Sequence, residues 1–122
     1  MGVFGNELKA SGFASPAQGY EGSTFDFNKI LVKNPPATYI IRKEGGDMAD
    51  FGILDGALLI VDRSLKPKNG SIVVIAYEGV FLCRQIKLKN EYAEFSKAGG
   101  TIRVPHSDYE IFGVVTAAIN EV

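Results

Sequence analysis

The chain has 122 residues, the length of one domain, and its 46% hydrophobic and 22% charged content is that of a folded globular protein rather than a disordered or fibrous one. Thirteen basic and fourteen acidic side chains leave a net charge of -1, which lacks the positive field a dedicated nucleic-acid binder needs, so no direct nucleic-acid contact is expected. Apolar runs such as Ile72–Tyr77 fall far short of the roughly 18 residues of a membrane span, and the single Cys83 and single His106 form neither a disulfide nor a metal-ligand cluster. A metal-free, cofactor-free, cytoplasmic protein without a membrane contact is the expectation.

Residues 1–24 are rich in glycine and serine, carry Pro16 and show no sustained periodicity, which predicts an extended, flexible arm. The folded domain is expected over 25–122. It opens with a short helix over 25–32, capped by Ser23 or Asp26, in which Phe27, Ile30 and Leu31 share a face. Asn34-Pro35-Pro36 stops it and sends the chain onward in extended geometry.

From Thr38 on, short runs of Ile, Val, Phe, Tyr and Thr alternate with turn residues about every ten positions, the pattern of a mainly β domain. Seven strands are predicted, over 38–42, 57–61, 71–77, 80–89, 92–96, 101–104 and 109–119. Glu78-Gly79 is a two-residue hairpin connection, and Lys68-Asn69-Gly70 and Ala98-Gly99-Gly100 supply further turns, so a meander with tight loops is expected. Along the strand over 80–89, Arg84 alternates with Leu82, Ile86 and Leu88, which puts a guanidinium in line with aliphatic side chains.

Four segments carry a resemblance: GFASPAQGY at 12–20, PATYIIR at 36–42, GILDGALLIVDRS at 52–64 and EIFGVV at 110–115. Over residues 12–119 the chain resembles the LexA/UmuD family of self-cleaving serine peptidases, and within it the processed, UmuD′-like form. The resemblance implies a β-barrel or curled sheet, and a serine/lysine dyad that cuts a small-residue-Gly bond in the arm. It also implies dimerisation through the C-terminal strand, with Tyr109, Ile111, Phe112, Val114 and Val115 as the interface residues.

Position by position, the family's nucleophilic serine directly precedes a methionine in a glycine loop, and this chain has Asp47 before Met48. The family's lysine base lies three residues after a phenylalanine, and the place after Phe81 holds Arg84. Ser11-Gly12 matches the cleaved bond, and the short stretch before it matches a remnant arm. Serine attacks a carbonyl only when a base takes its proton, and arginine stays protonated at any physiological pH. The dyad is therefore expected to be inactive, with Asp47 and Arg84 forming a salt bridge in its place.

The function implied is a catalytically inactive UmuD′-like accessory subunit of an error-prone translesion polymerase in the SOS response. Its partners would be a second copy in a homodimer, a UmuC-like Y-family DNA polymerase and the RecA filament. Two alternatives stand beside it: a dimerising regulator that pairs with intact UmuD or with a full-length LexA-type repressor, and a residual self-cleaving peptidase.

Overall fold

A computed structural model describes residues 8–10 and 35–122. Its framework is one open, eight-stranded antiparallel sheet: β1 (Leu8–Ala10), β2 (Thr38–Lys43), β3 (Leu58–Asp62), β4 (Ile72–Tyr77), β5 (Val80–Leu88), β6 (Tyr92–Lys97), β7 (Gly100–Pro105) and β8 (Glu110–Ile119). The only helical elements among the described residues are three 3-10 turns, at Pro35–Ala37, Ala49–Phe51 and His106–Asp108. The seven strands expected from the sequence are all present, and β1 adds a short eighth that its Leu-Lys-Ala sequence does not announce. The helix expected over 25–32 and most of the expected arm lie outside the described residues.

The turn chemistry explains why the seven strands were readable. At the β4–β5 hairpin Glu78 has φ 50° and Gly79 φ 82°, the two left-handed residues that a two-residue turn needs to match the strand twist. The order across the sheet is β1-β2-β3-β8-β4-β5-β6-β7. Strands β4 to β7 form the expected meander, but β8 returns to lie between β3 and β4, so the whole sheet is not a meander. Among the described residues the sheet is open rather than closed into a barrel, with β1 and β7 at its two ends.

Both faces of the central strands are buried, which is why β4 reads as a continuous apolar run. Val74 belongs to a core with Ile41, Met48, Ile53, Ala57, Leu59, Val61 and Cys83. Val73 and Ile75, on the opposite face, join Ile86, Ala93, Phe95, Val104 and Val114 in a second core. Strand β8 serves both cores through a break in its ladder: Val74 pairs with Gly113 but Ile75 pairs with Ile111, leaving an extra residue at Phe112. Phe112 thus turns to the first core, edge-on to Tyr39 and Phe81, while Val114 turns to the second.

The sheet curls. In its order β2 and β5 are four strand spacings apart, about 19 Å across a flat sheet at ~4.8 Å each. Nevertheless the loop that follows β2 reaches the middle of β5, and β1 on the far edge also approaches β5. The candidate site lies where that curl closes.

Candidate functional site

Strand β2 delivers the site. Its inward-facing residues alternate, and Ile41 and Lys43 are both completely or almost completely buried. The ladder holds Lys43 in place, its N–H donating to Ala57 O at 2.8 Å while its carbonyl accepts from Gly56 N at 2.8 Å. The chain then turns through Glu44-Gly45-Gly46, with Gly45 at φ 90°, a conformation that glycine adopts without strain. Gly45 N–H donates to Asp55 Oδ1 at 2.8 Å, and Ala49 N–H to Gly46 O at 3.2 Å. The β6–β7 turn pins the loop from the other side, Ala98 N–H donating to Asp47 O at 2.8 Å. Met48, fully buried in the first core, anchors the residue after Asp47.

Asp47 is therefore held on a fixed backbone with its side chain 25% exposed, between two cations. Lys43 Nζ donates to Asp47 Oδ1 at 2.6 Å, and also to Glu44 O at 2.7 Å and Gly45 O at 3.2 Å. Arg84 comes from β5 on the opposite side, its Nη1 3.7 Å from Asp47 Oδ2 and donating to Cys83 O at 2.8 Å. The expected ion pair of Asp47 with Arg84 is present at that longer separation. At 3.7 Å the pair is looser than the planar fork that two opposed charges invite, and Nη1 also donates to the Cys83 carbonyl. The short partner of Asp47 is Lys43, which the sequence reading missed. Ending the strand at Arg42 treated Lys43 as the start of a loop, although its same-face spacing from Ile41 and its i,i+4 spacing to Asp47 were both visible.

Ser64, the next serine along the chain, hydrogen-bonds its own neighbour, donating from Oγ to Asp62 Oδ1 at 2.6 Å. Ser11 and Gly12 lie outside the described residues, though β1 ends at Ala10, paired with Ile41. Among the described residues no group of three or more His, Cys, Asp or Glu is placed to hold a metal ion, and no helix is long and apolar enough to cross a membrane.

The expected interface residues of β8 are engaged within the chain. Val114 and Val115 pair with both β3 and β4, so strand pairing between protomers is not open to them. Val114 is also buried, and Ile111 packs on the second core. Tyr109 stacks edge-on against Phe95, its hydroxyl 2.8 Å from His106 Nδ1. Phe112 lies under the Arg63 guanidinium at 4.4 Å. Any contact with a second copy at this strand has to use the half-buried side chains of Tyr109, Ile111, Phe112 and Val115, not the backbone ladder at Val114 and Val115.

Comparison with known proteins finds a family and several relatives. The family model described as Peptidase S24-like matches residues 3–116. The chain is 33% identical over 111 residues to Protein SamA of Salmonella typhimurium, covering 91% of this chain and 79% of that protein. It is 42% identical over 80 residues to Protein MucA of Escherichia coli, covering 66% of this chain and 55% of MucA. A LexA repressor of Psychromonas ingrahamii is 29% identical over 117 residues, covering 90% of this chain and 54% of the repressor.

Proposed function

Because the chain belongs to the Peptidase S24-like family, as a UmuD-like member of it, we propose that it is a catalytically inactive accessory subunit of an error-prone translesion polymerase. The observation that carries this reading is the 2.6 Å contact between Lys43 Nζ and Asp47 Oδ1 at the position where the family places its nucleophile. A carboxylate tied to a buried ammonium is a poor acyl nucleophile, and a guanidinium on β5 takes no proton from anything. With cleavage gone, what the fold has left to offer is surface. A homodimer, a Y-family polymerase of the UmuC kind and the RecA filament are the partners that fit a UmuD′-like chain.

Similarity to a LexA repressor supports the second reading, a regulator that pairs with intact UmuD or a full-length repressor. Affinity capture from cells with damaged DNA separates the two. A Y-family polymerase as the main captured protein supports the accessory subunit. A helix-turn-helix repressor in its place supports the regulator and contradicts the first reading.

A further inference from the structure

Lys43 has the surroundings of a general base. Its side chain is completely shielded from water, and its Nζ has three polar neighbours: Glu44 O, Gly45 O and Asp47 Oδ1. The two carbonyls can only accept hydrogen bonds. A neutral amine has two N–H bonds and one lone pair. With both hydrogens directed at the carbonyls, the lone pair faces the side chain at position 47. The backbone around it is fixed by the β2–β3 ladder, by Asp55 beneath Gly45 and by Ala98 on Asp47 O.

We propose that Lys43 is a latent general base for a nucleophile at position 47, held silent only by the carboxylate of Asp47. The inference rests on reading position 47 as the family's nucleophile place. It goes beyond that reading by moving the base from the β5 position, now Arg84, to the end of β2. In the native chain Lys43 Nζ donates to the carboxylate at 2.6 Å, so it has no lone pair to offer there. Among the described residues the charged side chain bonded to Nζ is Asp47, with Arg84 beyond it; the same loop also carries Glu44, Asp50 and Asp55, the last bonded to Gly45 N. Replace Asp47 by a neutral hydroxyl, and Nζ loses its anionic partner while it keeps its two carbonyl acceptors and its place beside the side chain at position 47.

A fluorophosphonate probe tests this without involving the arm. In D47S the hydroxyl oxygen bonds to phosphorus, the P–F bond breaks, fluoride leaves, and Lys43 Nζ takes the hydroxyl proton. The expected result is phosphonylation at position 47 in D47S and none in the native chain, read by intact mass and peptide mapping. D47S/K43M should label at least a hundredfold more slowly. It leaves Arg84 without the Asp47 carboxylate just as D47S does, so the two variants differ only at position 43, where Met nearly matches Lys in volume. Adding the family's lysine, as D47S/R84K, should quicken D47S by no more than a few-fold.

D47C is the second variant, since a thiol that can ionise beside Lys43 preserves the charge balance of the site. Its sulfur displaces iodide from iodoacetamide and passes its proton to Lys43, faster than in D47C/K43M, while the buried native Cys83 stays unmodified. Equal rates with and without Lys43 in both series would overturn the proposal. Labelling that appears only when R84K is added would overturn it too, while leaving the reading of a replaced dyad intact. Phosphonylation of the native chain would instead sink that reading.

Discussion

Asp47 has two cations beside it, and they are not equivalent. Lys43 is within hydrogen-bond distance and has no access to water, whereas Arg84 Nη1 stands 3.7 Å away and bonds a carbonyl of its own strand. Removing Lys43 as K43M takes one donor from the Asp47 carboxylate and from the Glu44 and Gly45 carbonyls. A broken buried pair costs about 3 to 5 kcal/mol, and the partial exposure of Asp47 reduces this to about 2 to 3 kcal/mol. R84M loses a longer ion pair and one hydrogen bond and should cost about 1 to 2 kcal/mol. Urea unfolding of the two variants checks the order, and a greater loss for R84M would contradict the geometry. The family resemblance placed Asp47 and Arg84, through their positions relative to Met48 and Phe81. The sequence hid Lys43, because a charged residue after an apolar run reads as a strand end, and only the tertiary fold shows that the residue points inward.

At the scale of elements, the strands were legible wherever β-branched runs met glycine turns, and illegible where pairing is non-local. In Glu110–Ile119 a single residue signals that the strand will slot between β3 and β4. The signal for that was a glycine. A Cβ built on Gly113 would stand 2.7 Å from Val61 Cγ1 and 3.1 Å from Asp62 O, so this position marks a close crossing of β8 over the end of β3. G113A should destabilise the protein by about 1 to 3 kcal/mol, and a thermal midpoint equal to that of the native chain would rule the crowding out. The β4–β5 turn predicts a change of the other sign. Glu78 adopts φ 50°, where Asn is tolerated better, so E78N should stabilise by roughly 0.5 to 1 kcal/mol.

At the start of β8, burial raises the Tyr109 phenol above its ordinary value of 10.0. The unfolded phenol then ionises before the folded one. The stabilising contribution of Tyr109 is complete below pH 10.0 and is lost as pH rises through the higher folded value. The alkaline loss of stability should be shallower in Y109F than in the native chain, measured as the unfolding midpoint in denaturant against pH. Parallel curves would contradict this.

For the molecule as a whole, one curled sheet with a core on each face brings the end of β2, the middle of β5 and the β6–β7 turn to a single loop. A mainly β class was readable from composition and turn spacing. The curl was not readable from those signals and came only from the family resemblance, since it depends on the return of β8 and on the two ladder irregularities where β8 meets β3 and β4. The same curl places Asp47, Lys43 and Arg84 together, and the proposal of an inactive subunit depends on that meeting. The most direct measurement is the intact mass of the native protein after prolonged incubation from neutral to alkaline pH, with and without activated RecA. The account predicts one unchanged mass throughout; a product lacking residues 1–11 would contradict it.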